Sequence, residues 1–135
     1  MNIKDFPKTS DIILNYENGW LDIHLNNVEN RNALKQNLIK ELFTVFDVIR
    51  NNVHVRGVLI RGSNGIFCAG ADLKQMKKIA NSGTKAKREA FDFSMVIGNL
   101  LTTINEAPQV VVSVTEGYAF AGGFGCRRIG GVASV

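Results

Sequence analysis

The sequence predicts a single domain of the α/β class. Short runs of aliphatic and β-branched residues alternate along the chain with segments in which apolar residues recur every three or four positions. The 135 residues are 45% hydrophobic and 21% charged, which is ordinary for a soluble globular domain and argues against disordered, collagen-like and coiled-coil chains. A chain of this length also buries enough surface to form one hydrophobic core.

The first predicted element is a β-hairpin. Two short β-type runs, Ile12 to Tyr16 and Trp20 to Asn26, lie on either side of Glu17-Asn18-Gly19, and the second run alternates apolar with polar residues. This alternation predicts that one face of the hairpin is buried. His24 falls on the polar face, where a solvated strand residue is the better interpretation, and we assign it no function.

An amphipathic helix and a strand are predicted next. Apolar residues at helical spacing define the helix: Leu34, Leu38, Leu42, Val45 and Ile49. Asn30 or Asn32 is the candidate N-cap, and the helix should end near Asn51. Val55 to Arg61 then predicts a strand that is buried on both faces. Strand, helix and strand in this order imply a parallel crossover.

Two helices and a strand are predicted in the second half of the chain. Asp72 is placed to cap a short helix, and a longer amphipathic helix follows a loop over residues 81–84. The predicted inward face of the longer helix is formed by Phe91, Met95, Leu101 and Ile104. Pro108 ends that helix, and Val110 to Val114 predicts another buried strand.

The net charge of +4 comes from one segment. Six cations follow each other without an intervening acid: Lys74, Lys77, Lys78, Lys85, Lys87 and Arg88. Without them the chain has 10 basic and 12 acidic residues, which favours a local anion site over a nucleic-acid-binding surface. The alternative is a solvated face of two short helices. No aromatic platform is interleaved with these cations, so no nucleic-acid partner is expected.

Other classes of protein are disfavoured by the sequence. The charged amino terminus does not resemble a signal or transit peptide, and no apolar stretch approaches the ~20 residues of a membrane span. The two cysteines, Cys68 and Cys126, are too few for a disulfide scaffold and lack zinc-ligand spacing. We therefore expect a cytoplasmic protein in a reducing compartment, with no membrane partner and no metal.

Two turns rich in glycine and alanine are the candidate site. Residues 67–74 and 117–125 each follow a predicted buried strand and lead toward a helix. Such turns leave backbone N–H groups free to bind negative charge, for which a developing oxyanion is one candidate. Either turn alone could equally be a tight packing contact. The spacing of their glycines fits neither a phosphate-binding P-loop nor a dinucleotide-binding fingerprint, and there is no GxSxG motif.

Three motifs in order resemble the crotonase (enoyl-CoA hydratase/isomerase) superfamily over roughly residues 10–125. They are Arg31-Asn32-Ala33-Leu34, then Phe67-Cys68-Ala69-Gly70-Ala71-Asp72-Leu73-Lys74, then Pro108-Gln109-Val110 running into Gly117-Tyr118-Ala119 and Gly122-Gly123. The resemblance implies a crotonase-like spiral of ββα units that is incomplete, because the chain corresponds to about the first half of a family catalytic unit. Residues 1–125 are accordingly assigned to the crotonase-like N-terminal portion and 126–135 to an atypical C-terminal tail.

The same resemblance implies a function. Family members act on acyl-CoA thioesters, and the backbone N–H groups of Ala71 and Gly123 correspond to their oxyanion hole. The residues that would contact the coenzyme A portion are Ala69, Gly70, Asp72, Leu73 and Lys74, of which Lys74 is the best candidate for a phosphate contact. Coenzyme A arrives as part of the substrate, so no separate cofactor is expected. Family members usually assemble as trimers or as dimers of trimers, and a homo-oligomer is expected here.

The sequence also departs from the family pattern. The position of the first catalytic glutamate falls on Cys126, and the second would lie beyond Val135. A thiol with a reference pKa of ~8.5 is mostly protonated at neutral pH and is a poor substitute for a carboxylate that activates water. Two adjacent arginines and a glycine pair occupy the tail, which suggests a truncation or frameshift after Gly125. The alternative function is therefore a catalytically inactive coenzyme A-binding or subunit-interaction module.

Overall fold

The structure, a computed structural model, describes residues 2–27, 29, 32–62, 66–68, 72–115, 118–119 and 131–134. Within these residues there are three α-helices: α1 (Gln36–Ile49), α2 (Leu73–Ala80) and α3 (Ala86–Asn105). Its strands there are β1 (Ile12–Glu17), β2 (Trp20–Leu25), β3 (Gly57–Arg61), β4 (Ile66–Cys68), β5 (Val110–Thr115), β6 (Tyr118–Ala119) and β7 (Gly131–Ser134). Short 3-10 helices occupy Ile3–Asp5 and Gly83–Lys85.

The strands form two sheets. The larger sheet has five strands in the order β1-β2-β3-β5-β7, and the smaller one pairs β4 with β6. Among the described strands, β1 and β2 are antiparallel, whereas β2 with β3, β3 with β5, β5 with β7 and β4 with β6 are all parallel. Helix α1 connects β2 with its parallel neighbour β3, as the strand-helix-strand pattern predicts, and the chain from β3 to its parallel neighbour β5 passes through β4, α2 and α3. The predicted α/β class is confirmed.

The predicted β-hairpin is confirmed, with a two-residue turn. Asn18 and Gly19 have φ angles of 52° and 85°, which is the left-handed backbone that such hairpin turns require and that asparagine and glycine tolerate. The Arg56 side chain lies against Gly19 and donates a hydrogen bond from Nη2 to the carbonyl oxygen of Asn18 at 3.0 Å. The turn is thereby tied to the start of β3.

The predicted N-cap of α1 is wrong for Asn32, while Asn30 lies outside the described residues. The helix begins three residues later than Ala33, at Gln36, and Lys35 occupies the N-cap position without a side-chain bond. Asn32 instead adopts a φ of 56°, is buried, and accepts a 2.7 Å hydrogen bond at Oδ1 from the Asn27 backbone N–H. Its side chain therefore braces the preceding loop and is not available to cap the helix.

The hydrophobic core lies between α1, α3 and one face of the larger sheet. Its buried members include Leu21, Ile23, Leu38, Val45, Val58, Ile60, Leu100 and Ile104. In β3, Val58 and Ile60 are buried and Leu59 is half-buried, close to the predicted two-sided burial. In β5 the prediction of burial is wrong at Val110, which is 62% exposed, although Ser113 is fully buried.

The predicted inward face of α3 is also partly wrong. Phe91 and Met95 are 59% and 50% exposed, whereas Phe93 and Ile97 pack against the core. Helical spacing is the same for both pairs, so the sequence offers two apolar stripes on α3. The stripe that ends in Leu100 and Ile104 faces the sheet, and Phe91 and Met95 therefore lie on the outer side of the helix.

Asp11 anchors the amino-terminal segment to α1. Its carboxylate accepts hydrogen bonds from Nδ2 of Asn27 at 2.7 Å and Nδ2 of Asn37 at 2.8 Å, and Nζ of Lys35 lies 3.3 Å away. Glu41 of α1 completes the link by accepting a bond at 2.7 Å from the Asp11 backbone N–H.

Within the described residues, no helix combines the length and the apolar character needed to cross a membrane.

Candidate functional site

Each of the two segments predicted as glycine-rich turns begins with a short strand, and these two strands are neighbours in the smaller sheet. Strands β4 and β6 run parallel, with Ile66 opposite Tyr118 and Cys68 opposite Ala119. The carboxyl ends of parallel strands lie at one edge of a sheet, so the chain leaves both strands at the same edge. Residues about fifty positions apart in the sequence are therefore adjacent in space, at the beginning of the two predicted turn segments.

The structure describes three of the predicted site residues. Asp72 occupies the N-cap position of α2, as predicted, and its carbonyl oxygen accepts a 3.0 Å bond from the Met76 N–H. Its side chain makes no capping hydrogen bond. Leu73 is 75% exposed and Lys74 is exposed in the first turn of the helix. These two side chains are accessible to a ligand at the amino end of α2.

The other predicted site residues lie outside the described residues: Ala69, Gly70, Ala71 and Gly123. Cys126, which stands at the position of the first family glutamate, also lies outside them, as does the predicted atypical tail except for the backbone of β7. The assignments of the oxyanion hole, the coenzyme A contacts and the domain boundary at residue 125 therefore stay predictions.

The basic segment is exposed along α2 and the start of α3. Arg88 pairs with Asp92 one helical turn away, with Nε 3.3 Å from Oδ1, and both side chains are exposed. The five lysines make no ion pair with any described residue. Lys77 and Lys78 lie in the last turn of α2, where the helix dipole favours cations, so part of this charge stabilises the helix itself. Lys74, in the first turn, has no such role.

A groove that no sequence motif predicts lies between the three helices. Its volume is about 600 Å³, and its lining includes the apolar residues Ile39 and Phe43 of α1, Ile79 of α2, and Phe93 of α3. Lys78 is among its polar lining residues. The spacing of Phe93 and Ile97 in the sequence is consistent with this face of α3 pointing inward. Phe91 and Met95 have the same spacing, so the sequence alone does not distinguish the two faces.

Gln109, from the third sequence motif, has a structural role. Its Nε2 donates a 2.6 Å hydrogen bond to the carbonyl oxygen of Ile49, the last residue of α1, and the side chain is buried. The same helix-terminal carbonyl oxygen also accepts a 3.0 Å bond from the Asn52 backbone N–H, so Gln109 is its second donor. It fixes the start of β5 against the end of α1, and β5 in turn leads into β6.

Comparisons with known proteins agree with the motif pattern. The sequence profile described as "Enoyl-CoA hydratase/isomerase" matches residues 15–129. Mitochondrial methylglutaconyl-CoA hydratase from Mus musculus is 34% identical over 106 residues, which is 78% of this chain and 32% of the mouse protein. Ethylmalonyl-CoA decarboxylase from Xenopus tropicalis is 29% identical over 107 residues, covering 79% of this chain and 34% of that protein. The chain thus spans about a third of the length of these relatives.

The fold comparison gives the same assignment. The crystal structure of an enoyl-CoA hydratase/isomerase from Marinobacter aquaeolei superposes with a TM-score of 0.84 at 30% sequence identity, over 92% of this chain and 48% of that one. The described elements therefore reproduce about half of a crotonase fold. With a profile match over most of its length and this structural likeness, the chain belongs to the enoyl-CoA hydratase/isomerase family.

Proposed function

We propose that the chain binds an acyl-CoA thioester and stabilises its enolate through the backbone N–H groups of Ala71 and Gly123. One observation carries the proposal: β4 and β6 pair in parallel, so the two turns that hold these residues follow strands ending at one edge. Ala71 comes three residues after Cys68, and Gly123 comes four residues after Ala119. This pairing supports the proposal that two backbone donors, one from each turn, converge on one carbonyl oxygen.

The chemistry requires donors that are fixed before the reaction begins. As the thioester carbonyl gains negative charge, hydrogen bonds already aimed at its oxygen strengthen, and each such donor is worth about 3 to 4 kcal/mol of barrier. Glycine and alanine suit these positions because a larger side chain would hold the carbonyl beyond hydrogen-bond distance. The side chains need play no part in the reaction.

The coenzyme A portion would lie at the amino end of α2. In this proposal the segment Ala69 to Leu73 lies against the adenine, and Lys74 pairs with a phosphate. The exposure of Leu73 and Lys74 supports this placement, since neither is used by the core. Coenzyme A is then a part of the substrate and no separate cofactor is needed.

The reaction that follows enolate formation differs between the relatives. One is named a hydratase and the other a decarboxylase. A thioester enolate forms both when water adds to an enoyl thioester and when a malonyl-type thioester loses carbon dioxide, so one oxyanion hole serves either reaction. We propose hydration or isomerisation of an enoyl-CoA as the first activity to measure.

Loss of the enoyl thioester absorbance of crotonyl-CoA tests turnover. Gly123→Pro removes the backbone donor and should abolish activity, whereas Gly123→Ala keeps the N–H and should retain most of it. Turnover that survives Gly123→Pro would refute the assignment of this donor.

Calorimetry with coenzyme A and dephospho-coenzyme A tests the binding site. If Lys74 contacts the 3′-phosphate, removing that phosphate should weaken binding by about 1 to 3 kcal/mol. Lys74→Ala should erase the difference between the two ligands, while Lys85→Ala, at an exposed lysine of the 3-10 helix beyond α2, should preserve it. Equal affinity of the unmodified chain for both ligands would contradict the phosphate contact.

Binding without turnover is the second candidate function, and Cys126 favours it. A thiol at the position of the first family glutamate leaves the water or proton step without its carboxylate. In this case calorimetry would show that crotonyl-CoA binds, while the absorbance of its enoyl thioester would stay constant. Cys126→Glu would then be expected to raise turnover above background.

A further inference from the structure

A cavity lies at the amino-terminal ends of β3 and β5. Its volume is about 570 Å³, which falls within the ~300–1,000 Å³ of small-molecule sites. Two of its lining residues directly precede these strands, Arg56 before β3 and Gln109 before β5. The segments that lead to β4 and β6 leave the same strands at their opposite ends, so this cavity is separate from the proposed acyl-CoA site.

The cavity is lined by two arginines, Arg50 and Arg56. Both residues are exposed, and neither forms an ion pair with a described residue. Among the described residues of the lining there is no aspartate or glutamate. Glu106 lines the adjoining cavity together with Arg50, but the two side chains are not paired. The lining therefore carries two positive charges that no carboxylate contacts.

The carboxyl end of α1 lies beside the cavity, because Arg50 is the C-cap residue of this helix. The carbonyl oxygens at this end already accept hydrogen bonds. Asp47 accepts one from the Arg50 N–H at 3.4 Å, and Ile49 accepts two, from the Asn52 N–H and from Nε2 of Gln109. These bonds reduce the negative charge that the end of a helix presents to an anion.

Gln109 leaves one polar atom of the cavity wall without a partner. The residue is 9% exposed, and its Oε1 is buried and accepts no hydrogen bond from any described residue. Buried acceptors in folded proteins normally have a donor, which the protein or an ordered water supplies. The missing donor points to a bound molecule in this wall, either a ligand or the water that accompanies it.

One side of the cavity is apolar. Val53 is 84% exposed, and Val55 and Pro108 line the cavity with it. This surface suits an organic group, whereas arginine side chains pair with phosphate or carboxylate oxygens. The ligand should therefore combine an apolar part with an anionic head.

We propose that the cavity binds an organic phosphomonoester, with the phosphate held by Arg50 and Arg56 and the organic group against Val53 and Pro108. A phosphomonoester carries a charge of about −1.5 to −2 at neutral pH, which matches two unpaired guanidinium groups better than the single charge of a carboxylate does. The site is independent of the proposed acyl-CoA chemistry.

A titration that follows backbone amide chemical shifts of the isotope-labelled chain tests the site. The three probes are phenyl phosphate, inorganic phosphate, which lacks the ring, and benzoate, which lacks the second charge. Phenyl phosphate should give saturable shifts at residues 50–56 and 109–110, with a dissociation constant at least about threefold below that of either other probe. Shifts confined to α2 and α3, or equal constants for phenyl phosphate and inorganic phosphate, would overturn the proposal.

Substitutions test the role of the charges. Arg50→Gln should raise the dissociation constant for phenyl phosphate at least about fivefold at low salt, because a charge-assisted bond is lost. Arg88→Gln is the matched control, since Arg88 is an exposed arginine of α3 that does not line the cavity, and it should leave the constant unchanged. Glu106→Gln removes the acid nearest to Arg50 in the adjoining cavity and should lower the constant about twofold. An unchanged constant in Arg50→Gln, or weaker binding in Glu106→Gln, would refute the phosphate contact.

Val53→Ser tests the organic half of the site. It should weaken the binding of phenyl phosphate and leave that of inorganic phosphate unchanged, because only the former contacts the apolar wall. Equal effects on both ligands would contradict the placement of the organic group. Arg56 also braces the hairpin turn through Asn18, so Arg50 carries the test of charge, and circular dichroism confirms that each variant is folded.

Discussion

The carboxylate of Asp11 is nearly buried, yet three side chains favour its charged form. Burial raises the pKa of a carboxyl group, but the hydrogen bonds from Asn37, Asn27 and Lys35, together with the Lys35 charge, hold the pKa of Asp11 below its ordinary value. The charged form is therefore part of the folded structure. Its three partners come from the loop after β2 and from the start of α1, so one residue links the amino terminus to both.

We predict that protonation of Asp11 lowers the free energy of unfolding as the solution becomes acidic. Because its pKa is lower in the folded chain than in the unfolded chain, its contribution is complete above the unfolded pKa of ~3.9 and is lost as pH falls through the folded value. Asp11→Asn should flatten the acidic part of a plot of unfolding free energy against pH. Denaturant titrations at several pH values measure this, with Asp47→Asn on the exposed side of α1 as the control. An unchanged acid slope in Asp11→Asn would contradict the prediction.

A second prediction concerns Gly57, which lies beneath the indole ring of Trp20. The two residues are neighbours across β2 and β3, and a Cβ at position 57 would overlap three atoms of the ring. Gly57→Ala should therefore lower the free energy of unfolding by about 1 to 3 kcal/mol. Chemical denaturation followed by circular dichroism gives the value. In a Trp20→Ala background the same substitution should cost little, and equal costs in both backgrounds would show that the ring is not the obstacle.

At the scale of elements, the sequence predicts the hairpin and the existence of all three helices. Asn18-Gly19 and the alternation after Trp20 are local signals, and they determine the hairpin without help from the rest of the chain. The orientation of α3 is not a local property. Phe91 and Phe93 begin two stripes of similar spacing, and only packing against α1 and the sheet decides which is buried. The prediction of Asn32 as the N-cap of α1 was wrong for a similar reason. The Asn32 side chain accepts a hydrogen bond from the Asn27 backbone N–H, and helical spacing does not reveal this contact.

The candidate site was predictable only through its motifs. β4 has three residues and β6 has two, too few to show a periodic pattern, and their pairing joins distant parts of the chain. The groove between the helices arises from their packing and has no motif of its own. Hydrophobic periodicity does not show that the two turns belong to one site. The resemblance to the family predicts this, and the pairing of β4 with β6 is consistent with it.

The two phenylalanines of α3 give a direct test of which stripe faces inward. Phe93→Ala removes a half-buried ring from the core and should cost about 1 to 3 kcal/mol, less than the ~3–5 kcal/mol for a fully buried ring. Phe91→Ala removes an exposed ring and should change stability by less than about 0.5 kcal/mol. Both are measured by urea unfolding at low protein concentration, where the monomer dominates. Equal costs would mean that α3 is rotated relative to the described structure.

At the scale of the whole molecule, much apolar surface is exposed. Large side chains that are more than half exposed occur on different elements: Val53 after α1, Leu73 on α2, Phe91 on α3, and Val110 on β5. Single exposed apolar residues are common in soluble proteins, but exposed residues on several elements leave the chain prone to association.

We therefore predict that the isolated chain binds a hydrophobic dye and associates as its concentration rises. Dye fluorescence, light scattering and the near-ultraviolet circular dichroism of Trp20 distinguish a packed chain that associates from one with loose packing. A sharp two-state thermal transition from a strictly monomeric sample, without dye binding, would show that the exposed surface has no such effect.

The parallel pairing of β4 with β6 also determines when the site forms during synthesis. The β1–β2 hairpin is complete once residue 25 has left the ribosome, because its strands are joined by a two-residue turn. The β4–β6 pair must wait for α2, α3 and β5 to be translated, and contacts between distant residues form slowly. A nascent chain that stops short of Tyr118 thus has its hairpin and its first helices but lacks the β4–β6 strand pair on which the proposed site depends.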